Sequence, residues 1–190
     1  MGPTGTAVVA AFQPAWNATT DDEYRCRNGQ GYGVGVLSRL PSAAVAGRGI
    51  HPVQDPDDPE RRAWLCLGGA AIVCTTHLAH VRRDVALAQC RHLMGTVVPG
   101  LRAGDVPAPL VLGADLNLGA GDTADLRSCL PAGIGSVGDG GLQHVVATPE
   151  LAAGAVRRID LGGATDHPGL LVVLAPAGND RAQQARVTHR

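Results

Sequence analysis

Lysine is absent: all 16 basic residues of this 190-residue chain are arginine. Against 17 acidic residues they leave a formal net charge of −1, which excludes the broad basic field of a polyanion-binding protein. Aromatics are scarce, at two Trp, two Tyr and one Phe. No stacking platform for single-stranded nucleic acid can be built from so few, and the core must come from Val, Leu, Ile and Ala. Cys-x-x-Cys is missing. The five cysteines stand at 26, 66, 74, 90 and 129, spacings that exclude the common zinc motifs, and their odd number leaves at least one thiol unpaired within the chain. No apolar run approaches the about 18 residues of a membrane-spanning helix. Met1 to Thr6 carries no basic residue and no long apolar segment follows, so no signal peptide is read. The cysteines are compatible with secretion of a full-length form, the compartment stays open, and no obligate protein partner is evident.

What is present is enough chain for one core, with 45% hydrophobic residues. We read a single domain over 1–176 and a polar tail over 177–190. At its centre lies Leu110-Val111-Leu112, which reads as a buried strand ended by Gly113. Asp115 and Asn117 follow, two apart, so at extended spacing their side chains leave on the same side. A carboxylate and an amide there suit phosphate chemistry on a hard cation: Asp supplies a charged oxygen ligand, and Asn donates to a substrate oxygen. Gly, Asp and Asn are also simply common in a loop after a strand.

Around this stretch, Ala7–Phe12 predicts a strand and Gln13–Gln30 a polar loop. Tyr32–Leu37 predicts a strand whose glycines mark the close approach of another backbone. Ser42–Arg61 reads as a surface loop. Ala63–Leu67 and Ala70–Thr75 form a hairpin about Gly68-Gly69. A helix is predicted over Val81–Val98, with Leu87, Cys90, Met94 and Val97 on one face and Pro99-Gly100 as its end. Asp122–Leu130 predicts a short helix, Pro131–Gly141 a glycine-rich loop, and Leu142–Thr148 and Leu170–Leu174 strands. The alternation favours a mixed α/β (α+β) architecture.

Four stretches occur in order: Gly31-Tyr32-Gly33-Val34-Gly35-Val36-Leu37-Ser38-Arg39, Cys74-Thr75-Thr76-His77-Leu78, Gly113-Ala114-Asp115-Leu116-Asn117 and Thr165-Asp166-His167-Pro168. The ordered set resembles the endonuclease/exonuclease/phosphatase superfamily, the DNase I-like enzymes, from about Tyr24 to Leu174. The resemblance implies a four-layer α/β sandwich of two mixed sheets. It also implies metal-dependent phosphoester hydrolysis, of phosphodiesterase, nuclease or phosphatase type, with Mg²⁺ or Mn²⁺ as cofactor. On the matching positions it makes His167 the general base for the attacking water, and Asp166 part of a metal site with Asp115. Asp115 also stands near the leaving oxygen, Asn117 and His77 hold the phosphate, and Tyr32 lies along the substrate. Taken singly, Thr165-Asp166-His167-Pro168 reads equally as a turn with Asp as its cap. His77 likewise reads as a strand-end residue, and Tyr32 as a half-buried strand tyrosine. Arg39 reads as a structural ion-pair partner. Arg61 and Arg62 reach a phosphate or, more commonly for arginine, lie at the surface. His144 and His189 fall in no motif.

Two departures matter. The family carries a metal-binding Glu in a Gln-Glu motif, and an Asn on its first strand, both well before the glycine-rich stretch. Here the only acids before Tyr32 are Asp21, Asp22 and Glu23, and Gln13 is followed by Pro14. The expectation is a chain that begins partway through the domain, with the first strands and helices missing and metal binding weakened. The alternative function is then a non-catalytic remnant of the fold with a binding role only. Second, Leu142-Gln143-His144-Val145-Val146-Ala147-Thr148 best matches the family strand whose Asp orients the catalytic His, which makes Gln143 the His-orienting residue. An amide can accept the imidazole N–H but cannot offset its charge. Ile159-Asp160 is a rival, six residues before Asp166. The substrate is a small phosphoester, a lipid headgroup or a nucleic acid, with sparse charge and few aromatics favouring the first two over duplex DNA.

Overall fold

The structure, a computed structural model, describes residues 8–104, 107–119 and 124–178. Its strands are β1 (Val9–Pro14), β2 (Trp16–Asn17), β3 (Asp22–Glu23), β4 (Gly33–Ser38), β5 (Ala44–Ile50), β6 (Glu60–Arg61), β7 (Ala63–Gly68), β8 (Ile72–Thr76), β9 (Leu110–Asp115), β10 (Gly135–Gly138), β11 (Gln143–Ala147), β12 (Leu151–Ile159) and β13 (Gly169–Pro176). The helices are α1 (Arg83–His92) and α2 (Val98–Leu101), joined through a wide π turn at Leu93–Val97.

Six strands form the main sheet in the order β10-β11-β9-β8-β7-β5, and β8–β9 is its parallel pair. The side-chain period of two explains how both faces are covered. In β7, Cys66 points into a core shared with Cys74, Leu110, Leu112 and the helix residues Val85, Cys90, Leu93 and Met94. Leu65 and Leu67 point the other way, against Val36 of β4 with Val9 and Ala11 of β1. Strands buried on both faces read as continuous apolar runs, which is why β7 to β9 are legible in the sequence. Each fully buried Leu contributes roughly 1.5–3 kcal/mol. The layer opposite the helices consists of two antiparallel pairs, β1–β4 and β12–β13, rather than the one mixed sheet expected, and a small sheet β3-β2-β6 lies apart. No helix among the described residues is long and apolar enough to cross a membrane.

Several boundaries differ from expectation. The segment Ser42–Arg61 is not all loop: β5 runs through it as a sheet edge, because Gly47 and Gly49 leave room for the Trp64 ring, whose nearest atoms would lie 3.2 Å from a Cβ at position 47. The hairpin turns at Gly69–Ala71, with Leu67 paired to Val73. The predicted end at Pro99-Gly100 is passed, since the π turn places Pro99 in the first turn of α2, where its missing N–H costs nothing. The buried stripe of α1 is Val85, Ala86, Gln89 and Cys90, so Leu87 sits at its margin. Asp122 lies outside the described residues, and the helix predicted there is represented by a 3₁₀ turn at Leu126–Ser128. β10 occupies part of the glycine-rich loop, and β12 was not anticipated. Of the polar tail, only residues 177 and 178 are described.

Two disulfides tie the core. Cys66–Cys74 joins directly paired residues of β7 and β8, and Cys90–Cys129 anchors α1 to the segment after the 3₁₀ turn; Cys26 is free and exposed. Thiol titration in denaturant without reductant should therefore find one reactive cysteine per chain. Reduction should cost about 2–5 kcal/mol, read as a fall in Tm by calorimetry. An unchanged Tm on full reduction would count against a stabilising role for both bonds.

Candidate active site

The parallel pair positions the site. β8 and β9 run in phase, with Cys74 opposite Leu112, so the two chains arrive together and His77 bridges Asp115 just beyond β8. The Leu78 amide donates to the Asp115 carbonyl at 3.1 Å. On the other side of β9, Gln143 stands opposite Asp115 at the start of β11. Asp115 is thus held between His77 and Gln143 at the carboxyl end of a parallel pair, where α/β sheets commonly open their crevices.

Gly113 does not end this strand. It pairs with Val145, and β9 continues to Asp115. The turn comes at Asn117, which has φ 49°, a left-handed conformation that Asn tolerates better than most residues. Asn117 and Asp115 are therefore not neighbours on an extended strand. The Asn117 backbone N–H donates to Asp115 Oδ1 at 3.0 Å, and its Nδ2 donates to the Leu78 carbonyl at 2.9 Å. One amide proton is thereby occupied, leaving the other proton and Oδ1 for a ligand.

A pocket of about 360 Å³ is lined by Tyr32, His77, Asp115, Asn117, Asp166 and His167, together with Glu60, Arg62 and His80. Tyr32 enters from the residue before β4, and Asp166 and His167 from the loop before β13. His167 Nε2 lies 3.5 Å from Asp115 Oδ2 and 3.7 Å from Asp166 Oδ2. His77 Nε2 lies 4.0 Å from the same Asp115 oxygen. Burial, reinforced by the nearby Arg62 guanidinium, holds the His77 imidazolium below its ordinary pKa, so this ring is neutral at pH 7.

Gln143 does not orient the imidazole. Its Nε2 donates to Asp115 Oδ2 at 3.3 Å, and the carboxylate facing His167 is Asp115 itself. The rival Asp160 is exposed, accepts from the Gly162 amide at 2.8 Å and does not line the pocket. Arg39 is exposed and also does not line it. His144 is buried and bonded through Nε2 to the carbonyl of Leu118, the residue after Asn117, at 2.9 Å.

Glu60, Arg62 and His80 were not among the motif residues. Arg62 is no surface arginine: its side chain is 2% exposed. Its Nη2 donates to Asp58 Oδ2 and approaches His80 Nδ1, each at 2.9 Å. Glu60 and Tyr32 line the pocket together, and the Tyr32 hydroxyl faces the carboxyl. Burial pushes the Glu60 carboxyl up to about 7, although Arg62 opposes the shift. Burial also pushes Asp58 up, but the Glu60 amide and Arg62 outweigh it and hold Asp58 below its ordinary value. Glu60 and Arg62 are two apart on an extended segment, a spacing that sends both side chains to one side and is readable in the sequence.

The donor set limits any metal. No group of three or more His, Cys, Asp or Glu among the described residues is arranged to cage an ion. Asp115 is 14% exposed and Asp166 87%. Two carboxylates beside open solvent do not make a closed zinc site. They do fit Mg²⁺, which keeps several waters and is commonly held by one or two carboxylates with substrate phosphate oxygens.

No family model matches the chain, and no curated protein matches it in sequence. Solved structures match it in fold. The catalytic domain of human Nocturnin with a bound sulfate anion superposes with TM-score 0.63 at 13% identity, over 90% of this chain and 73% of that one. A mannosyl-6-phosphatase from Bacteroides thetaiotaomicron gives 0.59 at 12% identity, over 87% and 77%. An endonuclease/exonuclease/phosphatase family protein from the same species gives 0.59 at 11% identity, over 88% and 73%.

Proposed function

We propose that this chain, which has the DNase I-like fold of the endonuclease/exonuclease/phosphatase proteins, hydrolyses phosphoesters with the help of a weakly held divalent cation. The observation that supports this reading is the convergence of residues from four separate motifs on one pocket: Tyr32, His77, Asp115, Asn117, Asp166 and His167. In the proposed reaction His167 takes the proton from the attacking water. The Asp115 and Asp166 carboxylates face the ring nitrogen and offset the charge of the imidazolium formed. Asn117, through its remaining amide proton, and neutral His77 hold phosphoryl oxygens, and Asp115 assists the leaving oxygen. Asp115 and Asp166 would hold Mg²⁺ or Mn²⁺, which when bound neutralises charge on the phosphoryl group. A pocket of about 360 Å³ suits a small phosphoester.

The test is hydrolysis of bis(para-nitrophenyl) phosphate and para-nitrophenyl phosphate with increasing Mg²⁺ or Mn²⁺. We expect turnover that saturates only at millimolar metal and is lost in Asp115→Asn. Micromolar Mg²⁺ affinity by calorimetry would show that a further carboxylate completes the site. Phosphate binding without hydrolysis at any metal concentration would favour the binding-only reading, which rests on the lack of a third carboxylate ligand among the described residues.

A further inference from the structure

Arg62 carries more hydrogen-bonding capacity than its surroundings use. Its Nε and Nη1 are buried and have no hydrogen-bond partner among the described residues. Glu60 Oε1 is 3.0 Å from Nη1, close enough for an ion pair but not aligned as an acceptor. A buried guanidinium with unused donors is costly unless an acceptor arrives. Arginine's planar fork matches phosphoryl oxygens. Arg62 lines the same pocket as His77 and Asn117, and Glu60 stands in that lining beside it.

We infer that Arg62 is a phosphoryl-binding group of this pocket and that Glu60 is a cover, occupying the guanidinium until a substrate phosphoryl group displaces it. The inference rests on the phosphoester reading above for its ligand class, but not on turnover. It makes Glu60 a competitor of the substrate. When ionised it pairs with Arg62, and when protonated it releases the fork while keeping its contact with Tyr32. The charged and titratable groups facing Glu60 are the Arg62 guanidinium, the Asp58 carboxylate and the Tyr32 hydroxyl, and His77 and His80 line the same pocket. Because burial holds Glu60 near neutrality, its exchange between cover and bystander falls in an accessible pH range.

The test is sulfate binding by calorimetry in EDTA, since sulfate keeps a fixed charge where phosphate titrates. The proteins are the wild-type chain, Glu60→Gln and Arg62→Lys, with far-ultraviolet circular dichroism as the folding check. At about pH 5.5 wild type and E60Q should bind sulfate alike, and by about pH 8.5 E60Q should bind up to about thirtyfold tighter. Protonation of the pocket histidines shifts both proteins together, so the ratio of their affinities reads Glu60. Arg62→Lys keeps the charge but loses the fork and should weaken binding by about tenfold or more. Superimposable wild-type and E60Q curves across that pH range would overturn the inference, whether or not R62K folds. Unchanged affinity in folded R62K would overturn it too. Hydrolysis absent with the E60Q ratio intact would sink the hydrolase reading alone, and hydrolysis present with a flat ratio would sink this inference alone.

Discussion

His167→Ala is expected to lower phosphoester hydrolysis by about 10²–10⁴-fold while leaving the unfolding transition where it is. The rate effect follows from geometry. The ring nitrogen stands 3.5 Å from Asp115 and 3.7 Å from Asp166, so a proton taken from water arrives between two carboxylates. Removing the ring removes the acceptor that stands between Asp115 and Asp166, and His77, on the other strand end, faces Asp115 alone. The small effect on folding follows from exposure: the side chain is 36% exposed, in a loop beside Asp166. Single-turnover rates at saturating Mn²⁺, with urea melts of both proteins, separate the two effects. Full activity in the variant would remove His167 from the mechanism.

The neighbouring substitutions then read differently from what the motifs alone suggest. Gln143→Asp looks like the restoration of a family carboxylate. In the structure the Gln143 amide donates to Asp115 Oδ2. An Asp there would lose that donor and set two like charges side by side, which raises the pKa of one of them. We expect lower activity at neutral pH, not higher. His144→Ala is also a poor neutral control, because it breaks the bond to the Leu118 carbonyl beside Asn117.

The parts legible in the sequence are those where one physical rule acts alone. β7, β8 and β9 are buried on both faces and announce themselves as apolar runs. Residue order along the chain placed His77, Asp115 and His167 in the motifs whose strands and loops meet at one sheet end. What was missed involves rules in competition. Gly113 looks like a strand terminator, yet the ladder to Val145 overrides it. β12 mixes Gly154 with Arg157 and Arg158 and has little buried surface, so neither period nor hydropathy marks it. Arginine commonly lies at the surface, whereas Asp58, Glu60 and His80 make the burial of Arg62 tolerable here. Glu60 lies downstream of the glycine-rich stretch, where no motif calls for a carboxylate.

Gly33→Ala should be among the most destabilising single-methyl additions available to this chain, and Gly35→Ala, two residues on in the same strand, should be nearly silent. Both glycines lie in β4 and face β1, where Pro14 pairs with Gly33 and Phe12 with Gly35. A Cβ at position 33 would come within 2.7 Å of Pro14 Cα and 2.9 Å of the Ala15 nitrogen, with the Gln13 carbonyl oxygen closer still. All three are backbone atoms, so no rotamer change relieves the clash, and the β1–β4 pair must separate. At position 35 the nearest atoms are the Ala11 oxygen at 3.5 Å and Phe12 Cδ2 at 3.7 Å, ordinary contact distances. The expected cost is about 3 kcal/mol or more at Gly33 and under about 1 kcal/mol at Gly35. Urea midpoints at constant slope measure the difference. A second consequence connects the strand to the site. Tyr32 immediately precedes Gly33, its carbonyl accepts the Ala15 amide at 2.9 Å, and its hydroxyl faces Glu60 in the pocket. Pushing β4 away from β1 pulls on that carbonyl and should loosen the Tyr32–Glu60 contact. Folded Gly33→Ala at low temperature should then bind sulfate with a weaker pH dependence than wild type. Equal midpoints for the two alanine variants would mean that β1 and β4 do not approach as closely as this register requires.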